Sequence, residues 1–375
     1  PDTQVTMQPL PEGRSGEEVL IIAAAGETTP DICSSVPPVI VPLLARAGSM
    51  IPVDQFPGGR ELIAERLPPG MLESFIAEDG KLYQVPWKGN PIMVQYNTGI
   101  LEETGVDSLP RTWSEWNQAA AKVTRDRNGD GRIDQWMADI QIESEWRRRL
   151  FDFYTFYIAA SEGRTLLVDG RVDFDNQIAV DVMGFFATGF REGWYPRSLL
   201  AGDMFLMGYF AAHVTGPWNI AHTERLKPEG FRYAFGPIPV PDDYEGEPFT
   251  FGDPKSIGIF SNCRYPGAAW AFVRFLISRE SDRKLLEIAD QLPLRDGLLS
   301  DTLFADYFAA HPNMRVFARL VPHTRGFDQS PALQEVFDAI SNGFDGCAVN
   351  GVITPEEAVR QAAERSRYIL KMRGA

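Results

Sequence analysis

The stretch Asp126-Arg-Asn128-Gly-Asp130-Gly131-Arg132-Ile-Asp134 has the residue types and spacing of a calcium-binding loop. Side chains carrying oxygen fall at its first, third, fifth and ninth positions, glycine at the sixth, and the backbone carbonyl of Arg132 at the seventh. Calcium takes roughly six to eight oxygens, and this alternation turns successive side chains inward. The twelfth position is Met137, where a bidentate glutamate would normally close the shell. Two outcomes are therefore open: a structural calcium site completed by a remote glutamate or water, or an Asp/Gly turn that stays free of metal.

Other chemistry is poorly provided for. The four histidines (His213, His222, His311 and His323) have no close metal-ligand spacing. No Gly-x-Ser-x-Gly elbow and no phosphate-cradling glycine loop occurs. Cys33, Cys263 and Cys347 form neither a Cys-x-x-Cys nor a zinc spacing. They allow either one disulfide with one free thiol or three isolated buried thiols. A hydrolase or lyase using a pair of carboxylates is the enzymatic alternative that remains, because any acidic chain offers candidate pairs.

The elements that would position such groups alternate between helical and strand patterns, which argues for α/β layers. Val5–Gln8 reads as a strand, Gly16–Ala25 as a helix, and Pro30–Cys33 as the entry to a second strand. Thr112-Trp113-Ser114-Glu115 has the form of a capping box, and Thr354-Pro355-Glu356-Glu357 repeats it with proline at the first helical position. Pro266 opens another helix, with Trp270, Val273 and Ile277 on its apolar face. Turn residues at Tyr96-Asn97-Thr98-Gly99 and Phe251-Gly252-Asp253-Pro254-Lys255 mark two connectors.

With 375 residues, the chain is long enough for two domains, and 44% hydrophobic residues suffice for packed cores. The 36 Lys and Arg against 51 Asp and Glu give a net charge of −15, which disfavours nucleic acid and anionic membranes as partners. No apolar run approaches the ~18 residues of a membrane span, and the opening Pro-Asp-Thr-Gln is not a signal peptide.

Nine segments, in order along almost the whole chain, resemble the extracellular solute-binding proteins (family 1) of sugar ABC importers, the maltose-binding-protein-like group. They are Ala23–Asp31, Leu44–Asp54, Asp79-Gly-Lys-Leu-Tyr-Gln-Val-Pro-Trp87, Tyr96-Asn97, Pro110–Trp116, Thr215-Gly-Pro-Trp-Asn219, Gly236–Pro241, Ala268–Leu276 and Leu292-Pro-Leu-Arg295. The resemblance implies an α/β, two-lobed periplasmic-binding-protein fold of type II, with ligand held in a cleft between lobes joined by a hinge. It places residues 1–98 and 255–300 in the N-terminal lobe and 99–254 and 301–375 in the C-terminal lobe. On this resemblance, the family's first strand and helix, which precede the segment matching Val5–Gln8, are expected to be missing from the N-terminal lobe.

A sugar presents apolar C–H faces and a rim of hydroxyls, so it calls for aromatic rings beside polar side chains. Trp87 and Trp218 match cleft-lining positions of the family and are the expected ring contacts. Asp31, Lys88, Asn97, Asn219, Asp253 and Arg295 are the expected polar partners, with Trp146 and Tyr154 as further contacts from the second lobe. Trp113, Trp116 and Trp270 are assigned to packing. The family implies reversible capture without catalysis, delivery to the transmembrane subunits of an ABC permease, and a monomer. It also implies a periplasmic or extracellular location, free or lipid-anchored. Calcium at Asp126, Asn128, Asp130, Arg132 and Asp134 would be structural, and no other cofactor is required.

Overall fold

A computed structural model describes residues 4–10 and 14–373. They divide into two compact units: the described residues up to Asn90, with Asp253–Ala310 and Gly326–Pro331, form the first, and Pro91–Gly252, His311–Arg325 and the described residues from Ala332 onward the second. The first change of unit precedes the strand Met93–Asn97 instead of following it, and a short return at Gly326–Pro331 was not anticipated. The reason lies in the pairing: Met93–Asn97 is an inner strand of the second unit's sheet, bonded on both sides, and cannot be separated from it.

In the first unit, Lys255–Ile259 runs between Ile32–Val36 and Val85–Lys88, antiparallel to both. Pro86 lacks an N–H and sits in an edge strand, where one side of the ladder needs no donor. Gly258 packs closely under Met50, whose Cε would lie 2.5 Å from a Cβ there and would have to shift to admit one. The helix Pro266–Leu276 starts on its proline and buries Trp270 against Phe56, with ring centroids 5.0 Å apart. Residues 4–10 form no strand: Val5 is 49% and Met7 89% exposed, and this segment has no ladder partner among the described residues. The helix Arg14–Ala25 and the strand Ile32–Val36 follow as expected.

The second unit is built on a four-stranded sheet in the order Trp136–Ala138, Phe210–Thr215, Met93–Asn97, Tyr233–Gly236. The first two run parallel, and Met93–Asn97 is antiparallel to both of its neighbours. Its helical layer is aromatic. Trp116 is fully buried beside Tyr96, Phe156 and Phe185, and its indole N–H donates to the Tyr195 hydroxyl at 3.0 Å. Both capping boxes form. Thr112 accepts from the Glu115 N–H while Glu115 accepts from Thr112, and Thr354 and Glu357 exchange the same pair of bonds.

Candidate functional site

In open α/β sheets, ligands are taken at the carboxyl ends of the strands, where loops gather. In the second unit, Trp136–Ala138 and Phe210–Thr215 are parallel and end at the same edge, which is also where Met93–Asn97 begins, opposite Thr215. The Phe210–Thr215 strand runs straight into Gly216-Pro217-Trp218, and the helix Trp218–Leu226 starts at once. Trp218 lies against Gly216 so closely that a Cβ there would be 2.1 Å from the ring. The indole is half-buried, and Phe151 meets it edge-on at 6.3 Å. An aromatic surface is thus fixed at the carboxyl edge of the sheet by a glycine that permits the approach and a proline that precedes the helix.

The polar candidates of this unit separate. Asn219 donates to Oε1 of Gln95 at 2.5 Å, so its side chain is turned toward the sheet. Asn97 lies at the other end of its strand, paired with Tyr233, and its carboxamide oxygen accepts from the Ile100 N–H to cap the helix Thr98–Glu103. It therefore serves the backbone at the edge away from Trp218. Tyr154 is fully buried between Phe251 and Phe337, inside the Phe153–Ala160 helix, and is a core residue. Trp146 is half-buried, near Phe337, with the Arg147 guanidinium 5.0 Å over its ring. Sequence reasoning missed Asp139 and Phe151. Asp139 leaves the carboxyl end of Trp136–Ala138 half-buried, accepts from Gln141 at 2.9 Å, and has its acidity weakened by lost hydration. A carboxylate directly after a short strand was the available signal.

In the first unit, Ile32–Val36 and Val85–Lys88 end at the same edge, because each is antiparallel to Lys255–Ile259. Trp87 and Lys88 close that edge. The Trp87 carbonyl accepts from the Leu294 N–H at 2.8 Å and from Arg66 at 3.1 Å. Its indole N–H is buried with no hydrogen-bond partner among the described residues. The Lys88 ammonium sits 4.9 Å from the Trp87 ring centroid and 3.3 Å from the Ser35 hydroxyl. Lys255 stands opposite Lys88 in the ladder, and Asp253 offsets it at 2.8 Å from a backbone with φ of +30°. Trp87, Lys88 and Asp253 thus share one edge, with Ser35 and Lys255 added by the structure.

Two expected partners in this unit have other work. Arg295 donates to the fully buried Asp282 at 2.6 Å and to the Ile277 carbonyl at 2.8 Å, and Arg66 grips the same carboxylate. It belongs to a buried ion cluster. Asp31 precedes its strand, at the end away from Trp87, where its carbonyl accepts from Phe260 and its carboxylate from the Cys263 thiol.

Residues 1–282 match the family described as bacterial extracellular solute-binding protein. The chain belongs to that family. Among its relatives, this solute-binding protein is 23% identical over 311 residues to a binding protein of Brucella abortus, covering 80% of this chain and 71% of that one. It is 21% identical over 346 residues to the sn-glycerol-3-phosphate-binding periplasmic protein of Rhizobium meliloti, covering 86% and 76%. The solved structure of the sugar-binding protein MalE of Xanthomonas citri superposes with a TM-score of 0.78 at 21% identity, over 95% of this chain and 88% of that one. The fold is that of the type II periplasmic binding proteins.

The remaining sequence features of the solute-binding protein lie elsewhere. In the Asp126–Asp134 loop, the Asp126 carboxylate accepts from the N–H groups of Asn128, Gly129 and Gly131, at 3.1, 2.7 and 2.7 Å. These bonds hold the exposed carboxyl below the usual range. Asn128 and Asp130 each accept from the residue two positions on, and Asp134 accepts from Arg127. Among the described residues no group of three or more His, Cys, Asp or Glu is placed to hold a metal. All three cysteines are free and buried. No described helix is long and apolar enough to cross a membrane.

Proposed function

We propose that this solute-binding protein captures a sugar or oligosaccharide outside the cytoplasm, as a monomer, and passes it unaltered to the transmembrane subunits of an ABC permease. The observation that carries this reading is the placement of Trp218, flat against Gly216 at the carboxyl edge of its sheet. Such a ring offers an apolar face on which the C–H face of a sugar can stack. Taken by itself, the first unit offers Trp87 as a further aromatic candidate, with Lys88 and Asp253 at the same edge, and the second unit adds Asp139 after its strand. The name of the Xanthomonas relative, a sugar-binding protein, supports the same ligand class.

One observation favours a second reading. Lys88 and Lys255 stand side by side at the Trp87 edge, and the Rhizobium relative is named for sn-glycerol-3-phosphate. A small phosphate ester is the rival ligand. A thermal-shift screen over mono- and oligosaccharides and glycerol phosphate separates them, because a ligand at about a hundred times its Kd stabilises the native state by about 2.7 kcal/mol. A rise with saccharides alone supports the first reading, and a rise with the phosphate ester alone replaces it. Recovering the ligand intact after incubation distinguishes capture from hydrolysis or lysis.

Calcium is a separate proposal. The Asp126–Asp134 loop closes through its own backbone N–H groups, so an ion there adds to a turn already formed. Without the closing glutamate, its affinity belongs to the weak, roughly millimolar class.

A further inference from the structure

The helix Trp218–Leu226 is attached to its sheet with little help from apolar burial. Thr223 is the one residue of this helix that is buried; Leu226 is 52% exposed and Ala221 lies open. The helix therefore lacks the apolar stripe that normally docks a surface helix. Trp218 and Ile220 are half-buried, and the group it buries completely is polar. Asn219 and Thr223 are four residues apart, on one face, and both bond to the side chain of Gln95.

Gln95 lies in the middle of the inner strand Met93–Asn97 and is completely buried. Its carboxamide oxygen accepts from Nδ2 of Asn219 at 2.5 Å, and its amide nitrogen donates to Oγ1 of Thr223 at 2.9 Å. A carboxamide is suited to this place: one acceptor and one donor, uncharged, reaching two partners on adjacent turns. The later turns have further ties, His222 to Asp203 at 2.8 Å and Glu224 to Tyr233 at 2.6 Å, but through exposed groups that contribute little. The start of the helix, where Trp218 sits, has Pro217 before it and no side-chain cap.

We propose that Gln95 is the positioning residue for Trp218: its carboxamide brackets the first two turns of the helix and so fixes the ring at the ligand edge. Asn219 then acts as the outer half of this bracket and not as a ligand contact. The proposal deepens the reading of Trp218 as a sugar platform, but its test needs no ligand, so the two can fail separately.

Hydrogen exchange of residues 218–223 and acrylamide quenching of Trp218, taken as the difference from a Trp218→Phe background, report the bracket directly. Gln95→Met keeps the volume and removes both bonds. It should speed exchange of 218–223 by about tenfold, the effect of losing a buried hydrogen-bonded pair, and raise Trp218 quenching, while Met93–Asn97 stays protected. Asn219→Ala and Thr223→Val each remove one arm from the helix side without touching the sheet, and each should give part of the effect. Gln95→Glu adds a pH signature, read as the difference from the parent protein at each pH because His213 faces Gln95 across the ladder and itself titrates at low pH. Its protonated carboxyl keeps one donor and one acceptor, so the difference in quenching should be small at low pH and grow as the group ionises. Unchanged exchange and quenching in Gln95→Met would overturn the proposal. So would loosening spread evenly over the whole sheet, or Asn219→Ala and Thr223→Val both without effect.

Discussion

The two edges hold their tryptophans by opposite means. Behind Trp87 lies a buried ion cluster: Asp282, fully inaccessible, accepts from Arg66 and Arg295, and Arg66 also bonds the Trp87 carbonyl. Lost hydration pulls the Arg66 guanidinium down, and the neighbouring Asp282 pulls it partly back. Behind Trp218 lies a neutral carboxamide, Gln95, with a hydroxyl and a second amide as partners. A charged lock is rigid only while complete, since losing one member leaves a buried charge unpaired. A neutral lock that loses a member leaves only polar groups without partners, a smaller penalty. The edge of the first unit should therefore be the more brittle.

The largest effect follows from that difference. Asp282→Ala leaves the buried Arg66 without its carboxylate, and the partly exposed Arg295 with it, and should destabilise the protein by about 3–5 kcal/mol, read as a drop in the denaturant midpoint. Gln95→Met should cost less, about 1–3 kcal/mol, and fall on the second unit. Equal losses would remove the contrast between the locks.

A pH effect of up to about 3 kcal/mol is expected on the second unit. His213 stands directly opposite Gln95 in the ladder, and lost hydration pushes its imidazole down to about 4, with Asp203 opposing the shift and His222 adding to it. The unfolded chain then binds the proton more readily than the folded one. The contribution is complete above the ordinary histidine value near 6.5 and is lost as pH falls from there through about 4. His213→Gln should flatten that part of the stability curve, measured as the difference between variant and parent at each pH. Calcium should matter least. About 5 mM calcium against chelator should change stability by no more than about 1 kcal/mol, given a millimolar-class loop.

What the sequence revealed and what it hid differ by range. Both capping boxes and the proline-initiated helices were legible, because each signal and its partner lie within a few residues. The polar site residues were not separable. Asn97, Arg295 and Asp253 are all polar residues beside strands, yet one caps a helix, one joins an ion cluster and one stands at the Trp87 edge. Their partners decide the role, and Gln95 and Asn219 are 124 positions apart, Arg66 and Asp282 216. Tyr154 illustrates the same limit: its aromatic type fits stacking on a sugar, but an all-buried helix claims it for the core. The Val5–Gln8 segment carries a strand's residue types but is not paired, and pairing is not written in one strand alone.

The most direct test of sugar capture by these two rings is calorimetric titration of the screened saccharide into the parent protein, Trp87→Ala and Trp218→Ala. Each variant should lose about 1–3 kcal/mol of binding free energy with its fold intact. Unchanged affinity in both variants would contradict the assignment of Trp87 and Trp218 as the ligand-holding surfaces.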